Sequence, residues 1–273
     1  MLFYLNEKVI SLEDKKFSFN VISSRIYPSP KLISRALLTG LPNSKSIRRY
    51  KGKRDIAGMF TPDNYHFLNS ALRCNRNFLY ADHGYFHRGR FFRLTFNDYQ
   101  HSTLGASDGK RWKNLGIEIK SWKKNGTKIL LAPQSDQFFR IHGTSQGQWI
   151  RETTDKLRSY TDREIIVTRK VASNAEDNFR ASLDDVFAVV VFTSVAGLYA
   201  TVEGVPCFAT QDCASAKFGD MKLENVESPT YVENRLEKLS VLADNQWTLE
   251  EISNGSAWKS IYSQIQHLTL EQE

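Results

Sequence analysis

Residues 189–210 read VVVFTSVAGLYATVEGVPCFAT. An apolar run long enough for a fully buried strand stops at Thr193-Ser194. Small residues then open a short helix, and Glu203-Gly204-Val205-Pro206 leads into a second apolar run. Strand, helix and strand in that order predict a parallel pair joined by a crossover. Ligands of open parallel sheets sit beyond the carboxyl ends of the strands, so Thr193 and Ser194 fall where a ligand is expected. A phosphate suits the free N–H groups of a helix start, with a hydroxyl as a further donor. Glu203 closes the helix, where a carboxylate gains nothing from the helix dipole. Its expected role is to accept paired hydrogen bonds from a ribose diol. The alternative is a capped helix between two core strands, with an incidental surface glutamate.

The same rhythm extends outward. TKILLAPQ (127–134), REIIVTRK (163–170), VFAVVVFTS (186–194) and VPCFAT (205–210) are predicted strands. QGQWIRETTDKLRSY (146–160), NFRASLDD (178–185) and VAGLYATVEG (195–204) are predicted helices between them. Upstream, FSFNVIS (17–23), DIAGMF (55–60), NFLYAD (77–82) and FFRLTFN (91–97) read as strands. PKLISRALLTG (30–40) and NYHFLNSALRCN (64–75) read as helices. The polar, basic stretch 101–126 reads as a junction, and the tail after 231 as helices. The expected architecture is α/β: two Rossmann-like halves with an interdomain cleft and C-terminal helices. The boundaries are 1–115 for the N-terminal half and 116–273 for the C-terminal half with the terminal helices.

Composition narrows the class. The 273 residues are 41% hydrophobic and 25% charged, which fits an ordinary globular protein with a sizeable core. No apolar run approaches the roughly 18 residues that a bilayer demands, and the first residues lack the pattern of a signal peptide. Cys74, Cys207 and Cys213 match no zinc spacing. A cytoplasmic protein is the expectation, with no membrane partner. The formal net charge of +7 is clustered. KSIRRYKGKR (45–54) is free of acids, and KRWKNLGIEIKSWKK (110–124) interleaves cations with Trp112 and Trp122. Such patches point to a phosphate-rich partner or to solvated loops.

A second chemical run is YADHGYFHRGRFFRLTFNDYQH (80–101). Asp82 and His83 close a strand, Gly84 permits a sharp turn, and His87, Arg88, Arg90 and Arg93 follow. Acid, imidazole and guanidinium in one loop suit a base or nucleophile in group transfer. Asp82 is the first choice and His83 the second. No loop carries an Asp-x-Asp metal motif; Asp184-Asp185 reads as a helix end.

The segment F-T-S-x-x-G-x-x-A-x-x-x-G-x-P resembles the donor-binding segment of GT-B fold glycosyltransferases, especially the bacterial capsule Kdo-transferase type. It is also similar to that of a group of phage-encoded glycosyltransferases. The likeness spans roughly residues 78–260. It implies a nucleotide-sugar donor, UDP-linked by default, with no metal required. It puts Thr193 and Ser194 at the phosphates and Glu203 at the ribose. LLAPQSDQFFRIHG (130–143) resembles the first strand and loop of the donor half, which brings in Gln134 and His142. Arg169 and Lys170, at another strand end, would neutralise a diphosphate. The Asp-His-Gly-Tyr-Phe run resembles the phage group most closely. It departs from the capsule enzymes' Asp-Gly turn through the inserted His83. The phage likeness implies a DNA acceptor, a hydroxymethylated pyrimidine, met by Arg48, Arg49, Lys51, Lys53, Arg88 and Arg90. For a phage protein the compartment would be the host cytoplasm. The alternatives are a surface glycan acceptor, a nucleotide-sugar epimerase, and a non-catalytic DNA-binding protein.

Overall fold

The computed structural model describes residues 17–100, 106–168 and 175–270. They divide into two compact units. The N-terminal unit holds β1 (Phe19–Ile22), α1 (Pro28–Gly40), β2 (Lys45–Ser46), β3 (Asp55–Gly58), α2 (Tyr65–Arg73), β4 (Phe78–His83) and β5 (Phe92–Phe96). The central unit begins with α3 (Lys110–Leu115) and β6 (Lys128–Ala132). It continues through α4 (Asp136–Ile141), α5 (Gln146–Arg158), β7 (Glu164–Val167), α6 (Ala175–Ala181), β8 (Val186–Val191), α7 (Ala196–Val202) and β9 (Cys207–Ala209). After α8 (Arg235–Asp244) the chain returns to the N-terminal unit with β10 (Gln246–Trp247), α9 (Leu249–Ser253) and α10 (Ser256–Leu270).

That return corrects the expected boundaries. The tail is not an appendage of the C-terminal half. β10 pairs antiparallel with β5, and Trp247, Ile252, Ala257 and Ile261 join the core of the N-terminal sheet. The crossing between units falls near residue 101, so α3 belongs to the central unit. Chain order suggested otherwise because a two-residue strand has no periodicity to read.

The N-terminal sheet has the order β10-β5-β4-β3-β1-β2. β4, β3, β1 and β2 are parallel, and β5 turns back along β4. One face packs α1, α9 and α10 through Phe19, Val21, Leu37, Leu79 and Trp247; the other packs α2 through Ile22, Ile56, Leu68 and Tyr80. The central sheet, β7-β6-β8-β9, is wholly parallel. Every residue of β8 is buried because both faces are covered, which explains its unbroken apolar run. Val190 faces Phe139, Trp149 and Leu157, while Val189 and Val191 face the α7 side. The two sheets, parallel-rich and covered by helices, make two Rossmann-like halves.

The basic junction is not a loose linker. Residues 117–126 run as an extended strap against the end of α7. The Lys120 N–H donates to Val202 O (2.8 Å) and the Lys123 N–H to Gly204 O (2.7 Å). Gly204 has φ +77°, and a side-chain carbon there would come within 2.0 Å of Ser121 O. The glycine before Val205-Pro206 is therefore demanded by the strap as well as by the turn. No helix among the described residues is long and apolar enough to cross a membrane.

Candidate functional site

In the central sheet, β6 leads outward to β7 on one side, and β8 and β9 lie on the other. The order reverses between β6 and β8, which is where open α/β sheets place their ligands. The residues following these strands are Gln134 and Thr193, two of the predicted donor contacts. They bond to each other twice. Gln134 Nε2 donates to Thr193 Oγ1 (2.6 Å), and the Thr193 N–H donates to Gln134 Oε1 (3.2 Å). Gln146 Nε2 holds the Gln134 carbonyl from α5 (2.7 Å). Thr193 is only 6% exposed, so the pair is a built feature and not a solvated contact.

Ser194 and His142 adjoin this pair. Ser194 is half-buried. Its Oγ accepts the Ala196 N–H (3.2 Å), and its carbonyl accepts Ser215 Oγ (2.8 Å). One donor of the helix start is thus already met by the serine. His142 ends α4 and sets its ring edge-on to Phe192, centroids 5.1 Å apart. Partial desolvation there holds its pKa below the usual histidine value. Gln134, His142, Thr193 and Ser194 are therefore gathered at one strand edge. Arg169 and Lys170 lie outside the described residues.

Glu203 does not join them. It sits at the other end of α7, roughly 13 Å from Ser194 at 1.5 Å per residue. Both oxygens are engaged: Arg180 Nη1 reaches Oε1 at 2.6 Å, and Lys120 Nζ reaches Oε2 at 2.5 Å. Burial pushes its carboxyl up, but hydrogen bonds from Lys120 and Arg180 outweigh that and hold the pKa below the usual range. Sequence reasoning found a carboxylate awkward for the helix dipole; the structure answers with two cations, one from the strap and one from α6. Lys120 is thereby withdrawn from the expected polyanion patch. Lys123 is too, since its Nζ donates to Leu183 O (3.2 Å).

In the N-terminal unit, Asp82 and His83 end β4 opposite Arg93 and Phe92 of β5. Arg93 is 2% exposed and donates from Nη2 to Asp82 Oδ2 (2.7 Å) and from Nη1 to His83 O (3.1 Å). Asp82 Oδ1 accepts the His83 N–H (2.7 Å), and the His83 ring stacks on Phe92. Burial raises the Asp82 pKa, while Arg93, then Arg88 and His83, pull it down; the net direction is down. Asp82 is thus a carboxylate near neutral pH. The turn after it is held from afar: Gln246 Oε1 accepts the Phe86 N–H (2.9 Å). A side-chain carbon on Gly84 would press within 2.7 Å of that oxygen. From the sequence Arg93 was noted only as one cation of the run 80–101, and Gln246 not at all. An alternating strand that places an arginine inward was the one available signal, and only for Arg93.

Arg88 and Arg90 stand exposed on the same turn, between His87 at φ +49° and the bend at Gly89. Arg48, Arg49, Lys51 and Lys53 are exposed as well. Lys51 and Lys53 flank Gly52, whose carbonyl accepts Arg76 Nε (2.9 Å) just before β4 begins. They therefore sit at the amino ends of the strands. β4 alone separates that edge from Asp82 by about 15 Å at 3.3 Å per residue. Lys51 and Lys53 thus lie away from the Asp82 turn, whereas Arg48 and Arg49 follow the carboxyl end of β2.

No family model and no curated protein sequence matches the chain. Solved structures do. KpsC beta Kdo 2,7 transferase of Thermosulfurimonas dismutans superposes with a TM-score of 0.52 at 12% identity, over 89% of this chain and 99% of that one. KpsC beta Kdo 2,4 transferase of the same organism gives 0.49 at 12% identity, over 84% and 91%. The likeness is one of fold. It extends over both units and fits the two Rossmann-like halves described above.

Proposed function

We propose that the protein is a glycosyltransferase that moves a sugar from a nucleotide-sugar to a hydroxyl of an anionic glycan of the capsule type. The observation that carries this reading is the doubly bonded Gln134–Thr193 pair at the reversal point of the central sheet, with Ser194 and His142 beside it. These groups are assigned to the phosphates and the sugar of the donor. Glu203 is left out of the donor set because its oxygens already serve two cations. On the acceptor side, Asp82 takes the proton of the attacking hydroxyl, with His83 as the second candidate. The acceptor oxygen bonds to the anomeric carbon as the bond to the phosphate breaks. The nucleotide leaves with the electron pair.

Two considerations favour a glycan over a DNA base. The KpsC protein that superposes over both units is a beta Kdo 2,7 transferase. Of the cations that suggested DNA, Lys51 and Lys53 lie at the amino ends of the strands, away from Asp82, and Lys120 and Lys123 serve internal contacts. The donor is identified by a thermal-shift and calorimetric screen of CMP-, UDP-, GDP- and TDP-linked sugars, Kdo included. One donor class is expected to bind. Ser194→Ala and His142→Ala should each weaken it roughly 3- to 10-fold, the worth of one neutral hydrogen bond. If no nucleotide-sugar shifts the melting temperature, the reading falls.

A further inference from the structure

The strand β10 is two residues long, and its two side chains part company. Trp247 enters the core that α1, α9 and α10 cover. Gln246 points the other way. It pairs in register with Arg93, which pairs on its far side with Asp82. Residues directly opposite in antiparallel strands project from one face, so Asp82, Arg93 and Gln246 form a row across three strands. Gln246 is wholly buried. Its Oε1 accepts the N–H of Phe86 (2.9 Å), itself wholly buried, where an N–H has to be met. The turn leaves room for that oxygen, since a side-chain carbon on Gly84 would stand 2.7 Å from it. The neck of the turn is closed by the Gly84 N–H, which donates to Phe91 O (2.8 Å).

A chain of contacts runs from this oxygen to the carboxylate. Next to the pinned Phe86, Tyr85 is also wholly buried, and the Arg93 guanidinium lies over its ring, 5.3 Å from the centroid. The guanidinium thus has its face covered and its edge committed, Nη2 to Asp82 Oδ2 and Nη1 to His83 O. A planar fork held on both counts has little freedom left. Asp82 takes its orientation from Arg93, Arg93 from Tyr85, and Tyr85 from a turn that Gln246 holds. Core packing alone does not ask for an amide at position 246. An apolar side chain would fill the volume with no polar group to desolvate. What the amide provides is the geometry of this turn.

We infer that Gln246 is a positioning residue for Asp82, so that the C-terminal return serves the reacting edge of the sheet and not the core alone. The inference rests on the glycosyltransferase reading and adds a residue to its acceptor side. The test compares two variants of the full chain. Gln246→Met keeps the length of the side chain and removes the accepting oxygen. Ile261→Val trims the tail's contact with the core and leaves the turn untouched. Carboxyl-13C NMR of aspartate-labelled protein follows Asp82, whose signal Asp82→Asn identifies. The groups that face Asp82 are Arg93 of β5, Arg88 of the turn, and His83 and Tyr80 of its own strand. With the guanidinium loosened, Asp82 in Gln246→Met should titrate about 0.5 pH higher or more than in wild type. In Ile261→Val it should titrate as in wild type. The kcat for sugar transfer should fall about tenfold in Gln246→Met, with acceptor KM and donor Kd unchanged, and stay at the wild-type level in Ile261→Val. In the wild type, the Phe86 amide should exchange its hydrogen as slowly as the amides of β4, a measurement that needs no variant to fold. Wild-type titration or wild-type kcat in Gln246→Met, equal changes in both variants, or a fast-exchanging Phe86 amide would each overturn the role. Donor titration keeps the two readings apart. If no nucleotide-sugar binds the wild type, the transferase falls, and the Asp82 titration still decides whether Gln246 positions it.

Discussion

Asp82 and Glu203 look alike on paper: each is a carboxylate at the end of an element, partly buried, ion-paired and depressed in pKa. Their surroundings separate them. Asp82 ends a parallel strand, and the cation bonded to it, Arg93, comes from the neighbouring strand and is almost wholly buried. Glu203 ends a helix, and its two cations tie that helix to the strap and to α6. The first carboxylate is held at the carboxyl edge of parallel strands, the edge that ligands of such sheets favour. The second is held where two segments of the chain are stitched together. A carboxylate's chemistry is therefore set by what its partner belongs to, more than by how strongly it is paired.

That contrast is open to measurement. The largest effect is expected from Asp82→Asn, which should cut sugar transfer 100-fold or more, in the range for loss of a general base. Donor affinity should stay as in wild type. The variant leaves the Arg93 charge buried without its carboxylate, so it should also unfold more easily, by about 3 kcal/mol. Steady-state kinetics beside calorimetry separates the two consequences. Turnover like that of wild type would move the base to His83, which His83→Ala then tests.

Next comes Gly204→Val. A side chain there meets the Ser121 carbonyl at a backbone angle that branched residues avoid. A loss of about 2–3 kcal/mol is expected in chemical denaturation. An unchanged midpoint would mean that the strap is not docked as described.

Glu203→Gln should cost less, about 1–2 kcal/mol, because Lys120 is largely exposed and retains water. Calorimetry with the donor should show wild-type affinity. A tenfold loss of affinity at unchanged stability would return Glu203 to the donor site.

The smallest effect concerns acid. Both carboxyls have folded pKa values below their unfolded ones, so their contribution to stability is complete above the unfolded value. It is lost as pH falls through the folded value. Melting temperatures should be level on this account from pH 5 to 8 and fall below about pH 4. The fall should be shallower in Glu203→Gln.

Much of this was legible in the sequence, and the residues show why. The strands of the central sheet declared themselves because burial on both faces leaves continuous apolar runs such as Val186–Val191. Thr193 and Gln134 could be read as strand-end residues from the same runs, although their mutual bonds could not. The strap escaped notice since its partners, Val202, Gly204 and Glu203, lie some eighty residues away and its lysines looked like a charged surface. β10 escaped for a similar reason. Two residues carry no alternation, and their meaning comes from Arg93 and Phe92, more than 150 positions earlier in the chain. Glu203 was noticed for the right physical oddity, a negative charge at the wrong end of a helix, but its pairs with Lys120 and Arg180 could not be read from the sequence.

The return of β10 to the edge of the N-terminal sheet fixes an order of events during synthesis. The central unit is contiguous and can close as soon as it leaves the ribosome. The N-terminal unit, begun first, must wait for Trp247, Ile252 and Ile261 to fill its core. At 5–20 residues per second that wait is on the order of 10 s. Throughout it, β5 lacks the strand that covers its outer edge. Ribosome-stalled chains in which residue 242 has just cleared the exit tunnel should yield a protease-resistant central unit and a cleavable N-terminal one, and chains carrying the tail beyond the tunnel should protect both.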